Sequence, residues 1–297
     1  SIDTKVSKNA TVGLLCAALL NRGTTTLKKV PKIEEVFRLI EVLQSIGVKV
    51  TWLDDGDVEI KPPKVLKLED IDAKAARRTR SIIMYLGPLM HRYKEFRLPY
   101  AGGCKLGKRT VAPHLYALEE FGLSVDTKNN YYHVTVRKKS PKEVTLYEMG
   151  ETVSENVLMA AAMTEGTTII RNISSNYMVQ DMCFFLEKLG ARIEGIGTNT
   201  LTVHGVKDVE KNITYAPSED PIEAFSFISA AITTNSRITV KRCPIEFLRV
   251  ELLRLEKMGC KFRISKPYKA ENGRTDLVDI TTLESDNLKA PEDKILA

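Results

Sequence analysis

The stretch Gln180–Glu194, QDMCFFLEKLGARIE, contains the pattern that decides the fold: an apolar helix, a glycine and a short strand. Glycine can take the left-handed conformation that ends a helix at low strain. Glycines with a similar helix before them and a similar strand after them recur at Gly47, Gly122 and Gly259. The four glycines are 75, 68 and 69 residues apart along the chain. This spacing predicts four copies of one unit of about 70 residues.

Each unit is predicted to contain a helix, a short strand, a second helix that ends at the glycine, and two further strands. In the second copy the first helix is predicted at Ser81–His91, and in the third at Ser154–Thr164. Strands flanked by amphipathic helices indicate the α/β class. The largely polar segment Gly205–Ser218 lacks periodicity and is predicted to link the third unit to the fourth.

The composition indicates a soluble globular protein that binds small molecules. Of the 297 residues, 43% are hydrophobic, and the net charge of +6 comes from scattered basic residues. Nucleic-acid binding usually needs a concentrated basic face, so the charge pattern favours small anionic ligands. Apolar runs stay well short of the roughly 20 residues that span a membrane, and we expect a cytoplasmic protein.

The five cysteines are odd in number and lack the spacing of metal sites. This pattern favours reduced thiols and no metal centre. Cys16, Cys183, Cys243 and Cys260 lie in apolar segments and are predicted to fill the core.

Cys104 lies in a different setting, the loop Ala101–Arg109, AGGCKLGKR. Three cations beside the thiol favour its thiolate and attract phosphate or carboxylate groups. Taken by itself, such a loop is also typical of a polar surface turn. Its GxxxxGK pattern nearly matches a phosphate-binding P-loop, but Arg109 stands where the magnesium-binding Ser or Thr would be. A nucleoside-triphosphatase is therefore disfavoured.

Four segments resemble, in the same order, the enolpyruvyl transferase family. They are Ser7–Ala10 with Cys16–Leu20, Arg80–Ile82 with Leu86–Leu89, Gly102–Arg109 with His114 and Leu115, and Ala160–Thr168. The resemblance implies an inside-out α/β barrel of βαβαββ-type units, with four present of the six that the family contains. Residues 11–212 would form the first domain, and residues 1–10 with 213–297 would form an incomplete second domain.

The resemblance also implies an activity, and it is greatest to members that act on UDP-N-acetylglucosamine. Such enzymes transfer the enolpyruvyl group of phosphoenolpyruvate to the 3′-hydroxyl of that sugar nucleotide and release phosphate. This is the first committed step of peptidoglycan synthesis. The implied partners are these two small molecules, with no cofactor, metal, nucleic acid or membrane.

The site residues follow from the matched motifs. Cys104 would be the general acid at the methylene carbon, and Asp293 the acidic group near the acceptor hydroxyl. Phosphoenolpyruvate would be bound by Lys8, Asn9 and Arg109, with Asn9 expected to cap the first helix. The residues implied for the sugar nucleotide are Arg80, Arg109, Thr110, Val111, Ala112, Pro113 and Asp293.

Two positions depart from the family pattern. Ala112 stands where the family usually has an aspartate, and Glu148 where it has a lysine that could face a diphosphate. Both changes weaken the nucleotide side of the implied site. A non-catalytic phosphosugar- or nucleotide-binding protein of the same fold therefore stays an alternative. A 3-phosphoshikimate enolpyruvyl transferase is a further alternative, against which Cys104 argues.

We expect His114 to be structural and Asp220 to start a helix.

Overall fold

A computed structural model describes residues 1–102 and 110–290 of the chain. Helices and mixed sheets alternate along these residues, which confirms the predicted α/β class. The chain divides into two compact units. The larger unit is Lys8–Ala216, and the smaller unit combines Ser1–Ser7 with Pro217–Ala297. The assignment of residues 11–212 to one family domain stays a prediction.

The strands are numbered in chain order. They are β1 Ile2–Asp3, β2 Thr25–Leu27, β3 Lys49–Trp52, β4 Val58–Lys61, β5 Glu95–Pro99, β6 Leu123–Lys128, β7 Tyr131–Val136, β8 Glu143–Thr145, β9 Gly166–Arg171, β10 Arg192–Glu194, β11 Thr200–Gly205, β12 Ile213–Tyr215, β13 Thr239–Pro244, β14 Lys261–Ile264, β15 Tyr268–Lys269 and β16 Asp276–Leu283. The α-helices are α1 Lys8–Ala17, α2 Glu34–Ser45, α3 Ala73–Ala76, α4 Leu86–Leu89, α5 Ala112–Glu119, α6 Glu151–Ala162, α7 Tyr177–Leu189, α8 Pro221–Thr233 and α9 Arg249–Lys257.

The described strands form four sheets that share one pairing pattern. The larger unit holds the sheets β12-β2-β4-β3, β5-β7-β6 and β10-β11-β9-β8, and the smaller unit holds β1-β13-β16-β14 with β15 beside β16. In every sheet three strands pair in the same way. The strand that follows the helix-ending glycine forms an antiparallel hairpin with the next long strand. That long strand also pairs antiparallel with the strand that precedes the helix ending at the glycine. Three sheets add a parallel strand at one edge, namely β12, β8 and β1.

The glycines that define the repeat have the predicted backbone conformation. Gly47, Gly122, Gly190 and Gly259 all have positive φ angles, between +88° and +118°. L-residues rarely adopt this region, because the Cβ atom then crowds the backbone. The helix-ending role predicted from the sequence is confirmed at each of them.

Two apolar helices lie at the centre of the larger unit. All residues of α1 from Ala10 to Ala17 are buried, and so are all residues of α6 from Val153 to Ala162. Helices that are apolar on every side belong in an interior.

The four cysteines predicted to fill the core, Cys16, Cys183, Cys243 and Cys260, are buried and free of disulfides, which confirms that prediction.

Asn156 on α6 joins three other segments of the larger unit. Its Nδ2 donates to Ile83 O at 3.1 Å and to His114 Nδ1 at 3.2 Å, while its Oδ1 accepts from Gly87 N at 2.8 Å. The contact leaves little space, since a Cβ added to Gly87 would lie 2.8 Å from Asn156 O. Here the predicted helix Ser81–His91 is instead a 3-10 helix, Arg80–Tyr85, followed by the short α4. Pro88 in α4 has no N–H to continue a regular ladder.

His114 is structural, as predicted. It is 3% exposed, and its two ring nitrogens contact Asn156 and Thr152. Burial, with a smaller contribution from the charge of Arg80, lowers the pKa of His114 to about 4. The neutral ring therefore accepts at Nδ1 from the Asn156 amide.

The smaller unit has its own core, which α8, α9 and the sheet enclose. Its members include Ile228, Val240, Leu252 and Ile280, all at most 4% exposed.

Asp220 caps α8 by accepting from Ile222 N at 2.8 Å and Glu223 N at 3.3 Å, which confirms the predicted helix start. Next to it, the buried carboxylate of Glu219 pairs with Arg242.

The helix-ending glycines provide a matched test of backbone strain against steric fit. Gly47 and Gly122 have φ angles of +88° and +90°, but an added Cβ would lie 3.6 Å from Pro63 at Gly47 and 1.8 Å from Arg137 O at Gly122. We expect Gly47→Ala to lower the free energy of unfolding by about 1–2 kcal/mol, from strain alone. Gly122→Ala should cost more by about 2 kcal/mol or should not fold. Urea unfolding measures both, and equal costs would contradict the described packing.

The buried His114 predicts a pH dependence of stability. Its folded pKa of about 4 lies below the ordinary value of 6.5. Between these values the unfolded chain takes up a proton that the folded chain does not, so stability falls as pH drops from 6.5 to about 4, by about 3 kcal/mol. Burial also lowers the pKa of His91 to about 4, so we expect His114→Gln to make this part of the profile shallower without removing it, measured by urea unfolding, with the exposed His133→Gln as control. An unchanged profile in His114→Gln would refute the assignment.

Candidate active site

A cleft of about 720 Å³ opens in the larger unit. It is lined by the first turns of α1 and α6, by α2, by the 3-10 helix Arg80–Tyr85 and by the start of α5. Polar side chains from these elements reach one space, although they are far apart in the sequence. They are Asn9, Glu35, Arg80, Ser81, Thr110, His114, Glu148, Glu151, Thr152 and Glu155. This cleft is the candidate active site.

Lys8 is held beside the cleft by Glu35, which lines it. Lys8 Nζ lies 2.5 Å from Glu35 Oε2, and their side chains are 44% and 26% exposed. Glu35 Oε1 accepts from Ser81 Oγ at 2.7 Å and Thr79 Oγ1 at 3.3 Å. Partial burial alone would raise the pKa of Glu35, but hydrogen bonds from Lys8 and Ser81 bring it below its usual value. Glu35 is therefore an anion at neutral pH that orients the Lys8 ammonium group.

Asn9 lines the cleft, but it does not cap α1 as the sequence suggested. The helix begins one residue earlier, at Lys8, so Asn9 lies inside the first turn. Its Nδ2 donates to the hydroxyl of Tyr177 at 3.2 Å. The side chain is thereby fixed toward α7, and its amide stays at the cleft wall.

Arg80 brings a second cation to the cleft. Its Nη2 donates to Thr110 O at 3.0 Å. Thr110 also lines the cleft, and its Oγ1 accepts from Ala112 N at 3.0 Å at the start of α5. Val111, Ala112 and Pro113 form this helix start. The predicted residues 110–113 thus follow one another at one edge of the site, and Thr110 provides the cleft-facing side chain.

Three predicted residues lie outside the described part of the chain. They are Cys104, Arg109 and Asp293. Their roles stay predictions.

Glu35 and Glu155 were not predicted from the sequence. Glu155 is 1% exposed, and its Oε1 has no hydrogen-bond partner among residues 1–102 and 110–290. Burial raises the pKa of Glu155 well above its usual value, and the nearby Glu151 and Asp181 add to the rise. A carboxyl group that keeps its proton can donate a hydrogen bond. The sequence signal for Glu155 was a carboxylate in the part of α6, Val153–Ala162, that is otherwise uncharged.

One edge of the cleft is acidic. Glu148, where the family pattern has lysine, is exposed and lines the cleft together with Glu151.

Among the described residues, no group of three or more His, Cys, Asp and Glu side chains is placed to hold a metal ion. In the same part of the chain, no helix is long and apolar enough to cross a membrane.

The described geometry suits a small anion more than a metal. Lys8 and Arg80 provide positive charge, Thr110 provides a hydroxyl, and Glu35, which accepts from Ser81, fixes the lysine. Arginine and lysine beside hydroxyl donors are the usual partners of phosphate and carboxylate groups.

Sequence comparisons identify relatives over most of the chain. A UDP-N-acetylglucosamine 1-carboxyvinyltransferase of Bradyrhizobium diazoefficiens is 35% identical over 264 residues, which are 89% of this chain and 61% of the relative. A UDP-N-acetylglucosamine 1-carboxyvinyltransferase 1 of Clostridium acetobutylicum is 31% identical over 285 residues, 95% of this chain and 68% of the relative. The chain thus spans about two thirds of the length of these relatives.

Structure comparisons agree on the fold. The enolpyruvyl transferase NikO from Streptomyces tendae matches with a TM-score of 0.77 at 19% identity, over 95% of this chain and 65% of NikO. An EPSP synthase from Acinetobacter baumannii matches with a TM-score of 0.72 at 18% identity, over 97% of this chain and 65% of that chain. The family described as EPSP synthase (3-phosphoshikimate 1-carboxyvinyltransferase) matches residues 2–288. The chain therefore belongs to the EPSP synthase family of enolpyruvyl transferases.

Proposed function

We propose that the protein transfers the enolpyruvyl group of phosphoenolpyruvate to the 3′-hydroxyl of UDP-N-acetylglucosamine and releases phosphate. One observation carries the proposal. Relatives named UDP-N-acetylglucosamine 1-carboxyvinyltransferase are 30–35% identical to this chain over 89–95% of its length. The cleft supports the proposal, because Arg80 lines the cleft and Lys8 pairs with Glu35, which also lines it.

The proposed reaction adds the acceptor hydroxyl across the double bond of phosphoenolpyruvate. The acceptor oxygen bonds to the carbon that carries the phosphate, and a proton joins the methylene carbon. Loss of a proton from that methyl group and departure of phosphate restore the double bond. In this scheme Cys104 supplies the proton and Asp293 takes the proton of the acceptor hydroxyl.

Lys8, Asn9 and Arg109 would hold phosphoenolpyruvate. Its phosphate and carboxylate are anions, so they need positively charged side chains whose positions stay fixed while charge develops during the reaction. The hydrogen bonds of Glu35 to Ser81 and Thr79 meet this need for Lys8, since they fix the carboxylate that orients the ammonium group. Because the pair is partly exposed, we assign it an orienting role and little stability.

Arg80, Thr110 and the start of α5 would face the sugar nucleotide, together with Arg109 and Asp293. The guanidinium group of Arg80 can donate to a phosphate, whereas the first N–H groups of α5 already bond to Thr110 and Val111. Glu148 and Ala112 work against a strongly bound diphosphate. We therefore expect UDP-N-acetylglucosamine to bind weakly.

We also infer that the four sheets are four units of the family's inside-out barrel. The shared strand order and the buried position of α1 and α6, each the first helix of a unit, support this inference. Residues 11–212 would then form one domain, and residues 1–10 with 213–297 part of a second.

Removal of the Cys104 thiol tests the proposed reaction. We expect the protein to release inorganic phosphate from phosphoenolpyruvate only when UDP-N-acetylglucosamine is present. Cys104→Ala should lower this rate at least about 100-fold, because it removes the general acid, while Cys104→Asp should recover part of it. Cys260→Ala is the matched control, since Cys260 is buried in the smaller unit.

A phosphate-release assay decides the outcome. Full activity in Cys104→Ala would show that another group protonates the methylene carbon. No release by the unaltered protein, combined with measurable binding of either ligand, would favour the non-catalytic alternative.

A further inference from the structure

Three helices of the larger unit meet at the floor of the cleft. Each contributes a side chain to the lining there: Val12 from α1, Glu155 from α6 and Met178 from α7. These side chains are 6%, 1% and 8% exposed, so they lie beneath the open part of the cleft. Two of them are apolar, as expected for a buried lining, and the third carries a carboxyl group.

The carboxyl group of Glu155 fills a gap in α1. Gly13 is buried in this helix, and a Cβ atom added to it would lie 2.3 Å from Glu155 Oε1 and 3.3 Å from Met182 Cε. Interiors are close-packed, so a larger residue at position 13 and the present position of Glu155 exclude each other. Gly13 and Glu155 are therefore a complementary pair, with the glutamate in the place of the side chain that Gly13 lacks.

The surroundings of this carboxyl group favour its uncharged form. Oε1 is shielded from solvent and makes no hydrogen bond within the described residues. The ionisable groups that interact with Glu155 include Glu151 on α6, Asp181 on α7 and Cys16 on α1, none of which is a cation. Asp181 differs, because the hydroxyl of Tyr215 donates to its Oδ1. A buried carboxylate at Glu155 would have no such donor at Oε1, which is strongly unfavourable.

The position of α1 decides where two residues beside the cleft lie. Lys8 and Asn9 are in the first turn of α1, and Gly13 follows Lys8 by about 7.5 Å along the helix axis. Asn9 Nδ2 also donates to the Tyr177 hydroxyl on α7 at 3.2 Å. Packed interiors transmit displacements, so a shift of α1 at Gly13 would reach both side chains.

We propose that Glu155 is a positioning residue: its carboxyl group packs into the gap at Gly13 and holds α1, with Lys8 and Asn9 in its first turn, against α6 and α7. The consequence for phosphoenolpyruvate rests on the proposed function, in which Lys8 and Asn9 bind that substrate. The packing of α1 does not rest on it and can be measured without a ligand.

The side-chain amide signal of Asn9 in NMR spectra reports on the first turn of α1, and Asn9→Asp assigns it. Glu155→Ala empties the gap and should shift this signal, whereas Glu155→Gln keeps the shape and should leave it near its original position. Gly13→Ala should shift it as well, and the double variant should return it toward the original position, because the new methyl group occupies part of the gap. Glu165→Ala, at a glutamate that is 70% exposed, is the control. Equal shifts in Glu155→Ala and Glu155→Gln, or no shift in either alanine variant, would overturn the proposal.

The pH dependence of stability provides a readout that packing alone would not move. The unfolded chain releases the Glu155 proton near pH 4.5, whereas burial raises the folded pKa well above that value. The stability that Glu155 contributes is therefore complete below pH 4.5 and is lost as pH rises. Measured by urea unfolding between about pH 5 and 8, the unaltered protein should weaken relative to Glu155→Gln, and Glu165→Gln should run parallel to the unaltered protein. A constant difference between the unaltered protein and Glu155→Gln would contradict the uncharged packing.

Calorimetric titration with phosphoenolpyruvate measures the effect on the site. Glu155→Ala and Gly13→Ala should each lower the affinity at least about fivefold, and the double variant should lose less than the product of the two effects. Glu155→Gln should stay within about threefold of the unaltered protein. Effects that multiply in the double variant would show that the two positions act independently, which overturns the proposal. If the unaltered protein binds no phosphoenolpyruvate while the Asn9 signal responds as expected, the proposed function fails and the positioning role stands.

Discussion

The carboxylate of Glu35 connects the parts of the candidate active site. It binds the ammonium group of Lys8 at the start of α1, and it accepts hydrogen bonds from Ser81 and Thr79 on either side of Arg80. Glu35 thus orients Lys8 directly and holds the residues on either side of Arg80, whose guanidinium group donates to Thr110 O. Without Glu35, Lys8 would be a flexible side chain at a helix start, and Ser81 and Thr79 would lose the acceptor that ties their hydroxyls to α2.

The packing behind the cleft explains how this arrangement is held. The buried parts of α1 and α6 form the base of the site, and Asn156 ties α6 to the 3-10 helix Arg80–Tyr85, to α4 and to α5. Interiors packed at this density transmit small displacements, so the positions of Lys8 and Arg80 depend on side chains that touch no ligand. The neutral His114 belongs to this base, where a charged ring beside Arg80 would be unfavourable.

The features predicted correctly were those with local causes. Helix-ending glycines, the Asp220 cap and the core cysteines each depend on neighbours a few residues away, and the structure confirms all of them. The features that were missed depend on distant contacts. Glu35 meets Lys8 across 27 positions of the chain, and β12, within the segment predicted to be a linker, is a strand because it pairs with β2. Periodicity carries no information about such pairs, and the capping rule misplaced Asn9 by a single residue.

The central claim is that Lys8, oriented by Glu35, binds phosphoenolpyruvate. Its most direct test is isothermal titration calorimetry of phosphoenolpyruvate with the unaltered protein, with Lys8→Met and with the control Lys64→Met. The account predicts an affinity at least about tenfold lower in Lys8→Met and unchanged in the control, because a charge-assisted contact is lost only in the first. Equal affinities in all three proteins would contradict it.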